Sequence, residues 1–160
     1  MEQILDSPET SSSKNYAGFW IRFVAYLIDG LILYIFQSAL MFLGIGSMFM
    51  NPEAFQDNPE AAMEMMGKMW GIIGISVFVG IVYFAGLESS AKQGTWGKQA
   101  MKLKVVDTNG NRLSFMHALG RYLSKIISAM ILCIGFLMVA WDSKKQGLHD
   151  RIAGTLVLRD

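Results

Sequence analysis

A single aspartate, Asp29, interrupts an otherwise uncharged run between Phe23 and Met50. Inside a bilayer a carboxylate costs a few kcal/mol and has to find a partner or a proton. Such a group either binds a proton or a cation, or sits in a structural ion pair or a neutral hydrogen-bonded state. Two basic partners are available. Arg22 lies seven residues earlier on the same helical face, but the axial gap of roughly 10 Å suits a side chain that snorkels to the headgroups. His117, Arg121, Ser124 and Ser128 recur at spacings of four, three and four, which makes one polar stripe on a helix. Lys125 borders that stripe. The expected contact is Arg121 with Asp29 across a helix interface; the alternative lays this half-helix along the headgroups with its basic side outward.

Other polar residues invite plainer readings. Asp142 follows Trp141 at an interface, where it caps a turn or pairs with Lys144. Glu88 closes the second apolar helix and reads as an exposed helix-end carboxylate rather than the lining of a vestibule. His149 and Asp150, in LHDR at 148–151, start a short tail helix and dock it to the preceding loop. Gly94, Thr95, Gly97 and Lys98, in GTWGKQ, lack the spacing and the terminal Ser/Thr of a phosphate-binding loop and read as a turn. Asp107 ends the run KLKVVD before a TNGN turn. There is no HExxH, GxSxG or CxxC, and the two histidines have no metal-ligand spacing. The expectation is therefore no enzyme, no cofactor and no metal. Methionines at 48, 50, 63, 65, 66 and 69 suit soft Cu(I). They suit better an amphipathic surface helix over 60–70, with Met as apolar filler.

These residues hang on apolar elements. Of 160 residues, 52% are hydrophobic and 17% charged, with a net charge of +1, which excludes a disordered chain, an ordinary soluble enzyme and a nucleic-acid partner. The lone Cys133 packs as a small hydrophobe. Residues 1–15 read as a disordered polar tail without the features of a signal peptide. A transmembrane helix over 20–43, an outer loop over 44–68 and a second transmembrane helix over 69–87 follow. A cytoplasmic loop and hairpin occupy 88–115, a helical segment 116–141 and a tail 142–160. The expected fold is an all-α membrane protein with two transmembrane helices, a third broken or re-entrant segment, and a small cytoplasmic β-sheet. In that sheet KLKVVD and RLSF form a hairpin to which TLVLR at 155–159 adds a third strand.

Lysine and arginine set the orientation. The loop before Lys68 is acidic, whereas 88–112 and the tail after Trp141 are basic, so both the N-terminus and the tail belong in the cytoplasm. One full crossing by 116–141 breaks that rule; a re-entrant segment that returns at Trp141 obeys it.

AGFWIRFVAYLIDG at 17–30, GTWGKQAMKLKVVDTNG at 94–110 and DSKKQGLHDRIAGTLVL at 142–158 resemble, in that order, the three signatures of RDD-family bacterial membrane proteins, named for one Arg and two Asp. The resemblance implies a multi-pass inner-membrane protein whose first helix opens with Arg22 and carries Asp29; Asp142 and Asp150 both stand where the second aspartate belongs. It also implies a transport role, with cation/proton exchange in some members. Two or three spans are too thin to enclose a pathway, so exchange calls for a homo-oligomer, with Gly71, Gly74 and Gly80 as packing surfaces. The alternative is a non-catalytic accessory or assembly subunit of a larger membrane complex.

Overall fold

A computed structural model describes residues 15–50, 59–130 and 134–160. Helix α1, Phe19–Met50, and helix α2, Pro59–Ile81, are each long and apolar enough to cross a bilayer. Helix α2 runs on into a π-helical turn over Val82–Gly86. Most of their side chains face outward: Trp20, Leu31, Tyr34, Leu43, Trp70 and Phe78 are all more than half exposed. Apolar surface on that scale does not face water in a monomer, and it marks both helices as candidate membrane spans. They meet through Gly44, where an added Cβ would lie 2.6 Å from the Ile72 side chain. The stretch over 60–70 forms the first turns of α2 rather than a separate surface helix. The polar tail up to residue 14, residues 51–58 of the outer connection and Cys133 fall outside the described residues.

Everything else gathers at one end of the pair. Helix α3, Trp96–Ala100, leads into strand β1, Leu103–Asp107. Helix α4, Phe115–Met130, and the short helix α5, Ile134–Leu137, are followed by a 3-10 turn, helix α6, Leu148–Ile152, and strand β2, Thr155–Arg159. Strands β1 and β2 pair antiparallel, Val105 opposite Val157. Alternation puts Leu103 and Val105 into a small core with Ala17, Ala25, Ala85, Leu113, Ala118 and Val157.

The tail strand thus joins β1 as expected, but the hairpin does not form. Its return arm keeps one bridge, Val106 to Arg112. The reason is local: Ser114 caps α4, accepting a hydrogen bond from the His117 amide at 3.2 Å, and this turns RLSF into a helix start. The second edge is taken instead by the chain before α1, where Tyr16 bridges Leu158 and the Ala17 amide donates to the Val157 carbonyl at 2.9 Å. The two ends of the described chain therefore lie on one side of the spans.

Segment 116–141 also returns. A Cβ on Gly135 would lie 2.9 Å from that of Ser128 and 3.0 Å from that of Leu148, so the chain doubles back and only glycine permits the approach. Among the described residues no third helix is long and apolar enough to cross.

Candidate functional site: a buried charge network beside a capped aspartate

Six ionised groups from five parts of the chain converge where the cap meets the spans. Arg22, in the first turn of α1, donates to Asp150 at 2.5 Å, to the Lys145 carbonyl at 2.6 Å and to the Ala17 carbonyl at 2.9 Å. Asp150 is held at the start of α6, where it also accepts from the Gly147 amide at 3.1 Å. Its other oxygen receives Arg121 at 2.5 Å. Arg121 reaches Thr155 at 3.0 Å and Glu88 at 2.5 Å. Glu88 in turn receives Lys98 at 2.5 Å and Lys125 at 3.0 Å.

Arg121, Glu88 and Asp150 have no solvent exposure. Charges so buried are tolerable only when paired and hydrogen-bonded, and every carboxylate oxygen here has a cationic partner. Burial alone raises the Glu88 and Asp150 carboxyls. The charges on Arg121 and Lys125, and on Arg121 and Arg22, outweigh it and hold both well below the usual carboxylate range. Burial lowers Lys98, against the pull of Glu88. Four cations face two carboxylates, so the cluster carries a positive excess.

Asp29 stands apart from this network. It is buried, and its two oxygens accept from the Tyr83 hydroxyl at 2.7 Å, the Thr95 hydroxyl at 2.6 Å and the Gly97 amide at 2.7 Å. GTWGKQ supplies two of those three donors. The chain is extended at Thr95 before α3 begins, which aims one hydroxyl and one amide at α1. Gly97 is required there: a Cβ would lie 2.2 Å from the Ala25 carbonyl oxygen and 2.8 Å from the Asp29 carboxylate. The next residue, Lys98, points to Glu88.

The expected Asp29–Arg121 contact is therefore not made. Of the stripe, Arg121, Ser124 and Ser128 are buried on α4 together with Lys125 and Ala118, while His117 is only partly buried, and the face they make is turned to Glu88 and α6. Arg22 pairs with Asp150 instead of snorkelling. Glu88, read as exposed, is the network's hub; its signal was the excess of buried cations needing an anion. Asp142 stays outside, accepting from the Lys144 and Gln146 amides at 3.0 Å and pairing with Arg151 at 2.9 Å, not with the Lys144 side chain. The Asn111 and Asn109 amides bind Asp107 and lower its carboxyl, stabilising the turn at Gly110. Gly94 packs against the Leu103 carbonyl. His117 bonds to the Ala153 carbonyl.

His149 differs from all of these. It is buried, and neither ring nitrogen has a hydrogen bond. Burial pushes it down to about 3 despite the Asp150 charge 3.4 Å away, so the ring is neutral. It packs on Phe136, centroids 5.0 Å apart. Among the described residues no group of three His, Cys, Asp or Glu side chains is placed to hold a metal.

Two candidate spans closed at one end by an ion-paired cap define an integral membrane protein. The chain belongs to the RDD family, which it matches over residues 16–154. It is 39% identical over 148 residues to the uncharacterized protein YxaI of Bacillus subtilis, covering 89% of this chain and 96% of that one. It is 30% identical over 152 residues to the uncharacterized membrane protein YteJ of the same organism, covering 91% and 82%. A proline-rich antigen of Mycobacterium leprae is 31% identical over 165 residues, with 92% of this chain and 63% of that protein covered. No solved structure matches. Of the two aspartates that stand in the third motif, Asp150 enters the network with Arg22 and Asp142 does not.

Proposed function

We propose that the chain is a non-catalytic subunit of the cytoplasmic membrane, with its N-terminus and cap in the cytoplasm, that assembles with a larger membrane complex. The carrying observation is the state of Asp29: protein donors, all of them neutral, already occupy both oxygens, and the nearby cations are committed to Glu88 and Asp150. Such an aspartate locks α3 to α1 and keeps at most one of its roughly four lone-pair sites, on Oδ2, for anything else. The network does the same for α4, α6 and β2, and so presents a rigid cap beneath two spans whose outer faces are free for partner helices.

A second reading, a homo-oligomeric cation/proton exchanger, is favoured by one feature. A cleft of about 350 Å³ between the spans is lined by Gln37, Ser76, Tyr34 and Tyr122, with Ser76 donating to Gln37 at 2.6 Å. Polar groups at that depth are expensive. Proton flux into proteoliposomes of the purified chain, under sodium or potassium gradients, separates the two. No gradient-driven flux is expected, together with a particle mass in mild detergent set by a co-purifying membrane protein. Flux abolished by Asp29→Asn, with a discrete homo-oligomer, establishes the exchanger instead.

A further inference from the structure

A second cavity, of about 440 Å³, lies where the first two turns of α1 meet the return of segment 116–141. Its walls are aromatic, from Phe19, Phe23, Tyr26, Phe84 and Phe136, and its polar groups are Lys125, Arg22 and His149. That is the size and make-up of a small-molecule site: apolar walls and a few placed polar groups.

One of those polar groups, His149, is without a hydrogen bond, and a second, Lys125, has donors to spare. His149 is 2% exposed and neither ring nitrogen is hydrogen-bonded. A buried polar group without a partner is costly and calls for an explanation. Lys125 carries three N–H donors but makes one hydrogen bond, to Glu88, while its ammonium stands 4.6 Å from the centre of the Phe84 ring. Behind them the network has four cations to two carboxylates. An occupant therefore has to bring negative oxygens to the lysine and the imidazole, and hydrocarbon to the aromatic wall.

The approach is from the bilayer. Phe23 and Leu137 both line the cavity and are exposed on the lipid-facing surface, and the level is that of the first turns of a span, where headgroups lie. We propose that this cavity is a binding site for an anionic phospholipid of the surrounding membrane, its phosphate oxygens taken by Lys125 and His149 and part of an acyl chain lying against Phe23, Tyr26 and Phe136. Arg22, whose donors hold Asp150 and two carbonyls, adds field rather than a direct bond. A bound lipid is compatible with either reading of the function, so the site stands or falls by itself.

Native mass spectrometry of the full chain in detergent tests this, titrating dioleoyl phosphatidylglycerol, dioleoyl phosphatidylcholine and oleate separately. The expected result is an apparent Kd for phosphatidylglycerol about tenfold below that for phosphatidylcholine. Lys125→Met and His149→Phe should each bring the two within about twofold. Val139→Phe, which fills the apolar part without touching the ion pairs, should weaken phosphatidylglycerol by about tenfold. Equal affinity for the two phospholipids in the unaltered protein overturns the proposal whatever the variants do. Stronger binding of oleate, with displacement of phosphatidylglycerol, overturns the phospholipid assignment in favour of a free fatty acid. Unchanged selectivity in folded Lys125→Met and His149→Phe places the lipid elsewhere.

Discussion

Arg22 and Asp150 meet at 2.5 Å although 128 positions separate them. The contact ties the first turn of the first span to the tail helix. Asp150 simultaneously holds Arg121 at 2.5 Å, so one carboxylate serves two guanidiniums. Asp150→Asn therefore strands Arg22 and leaves Arg121 with Glu88 alone, and should cost the roughly 3–5 kcal/mol of a broken buried pair. The double change with Arg22→Met should recover only part of that loss, because Arg121 still lacks one of its two carboxylates. A thermal-unfolding cycle in detergent checks this; full recovery in the double variant would show that Arg121 does not depend on Asp150.

Asp29 should behave otherwise. An asparagine that places its oxygen at Oδ1 still accepts from Tyr83 and Gly97, and its amide can donate to the Thr95 hydroxyl, which rotates to accept. Asp29→Asn is thus expected to cost no more than about 1.5 kcal/mol. Asp29→Ala orphans three buried donors and should cost several times more, at about 1–3 kcal/mol for each unsatisfied group. With Arg121→Gln, Asp29→Asn should be additive. Non-additivity beyond about 0.5 kcal/mol would contradict the separation of the two sites.

Glu88 offers a cleaner test of the hub. Glu88→Gln leaves Lys98 and Lys125 without a carboxylate, since the ion pair of each is to Glu88, whereas Arg121 retains Asp150. The expected loss is about 3–5 kcal/mol, and adding Lys98→Met should restore a measurable part of it. Unchanged stability of Glu88→Gln would refute the hub.

The pH response follows from the same burial. His149 is pushed down to about 3 in the folded chain, against an ordinary 6.5, so between those values the unfolded chain binds more protons and acid favours it. Asp150 and Glu88, both lowered, act in the same direction as they approach protonation. Melting temperature in detergent should therefore fall steadily from pH 6.5 towards 3. His149→Phe should flatten the upper part of that fall; an identical slope in the variant would remove His149 from the effect.

Much of this architecture is legible from local pattern. Two uncharged runs mark α1 and α2, the single acid at position 29 marks a buried carboxylate, and the four-three-four spacing marks the polar face of α4. The return of segment 116–141 follows from the basic tail. Partner choice is not local. Arg121 has the right spacing to face inward, but whether it meets Asp29, Glu88 or Asp150 depends on how the tail folds over α4. Glu88, followed by two serines, has the pattern of a solvated helix end until α3 and α4 cover it. Tyr16 and Ala17 form too short a run to signal a strand, and their pairing with β2 needs the tail in place.

Orientation gives the last prediction. The charge rule puts the basic cap in the cytoplasm, and Asn15 and Ser143 lie at the cap end of the spans, with the Arg159 amide donating to the Asn15 carbonyl at 2.9 Å. Met63, in the second turn of α2 and exposed, is at the opposite end. In a Cys133→Ser background, cysteines at Asn15 and Ser143 should resist an impermeant thiol reagent applied to intact cells, and a cysteine at Met63 should react. After permeabilisation all three should label. Reaction at position 143 but not at 15 would mean that segment 116–141 crosses the membrane. Reaction at both, with Met63 protected, would keep the fold and invert it, placing the charge network on the outer side, where the acid response of His149 and Asp150 would face the external pH.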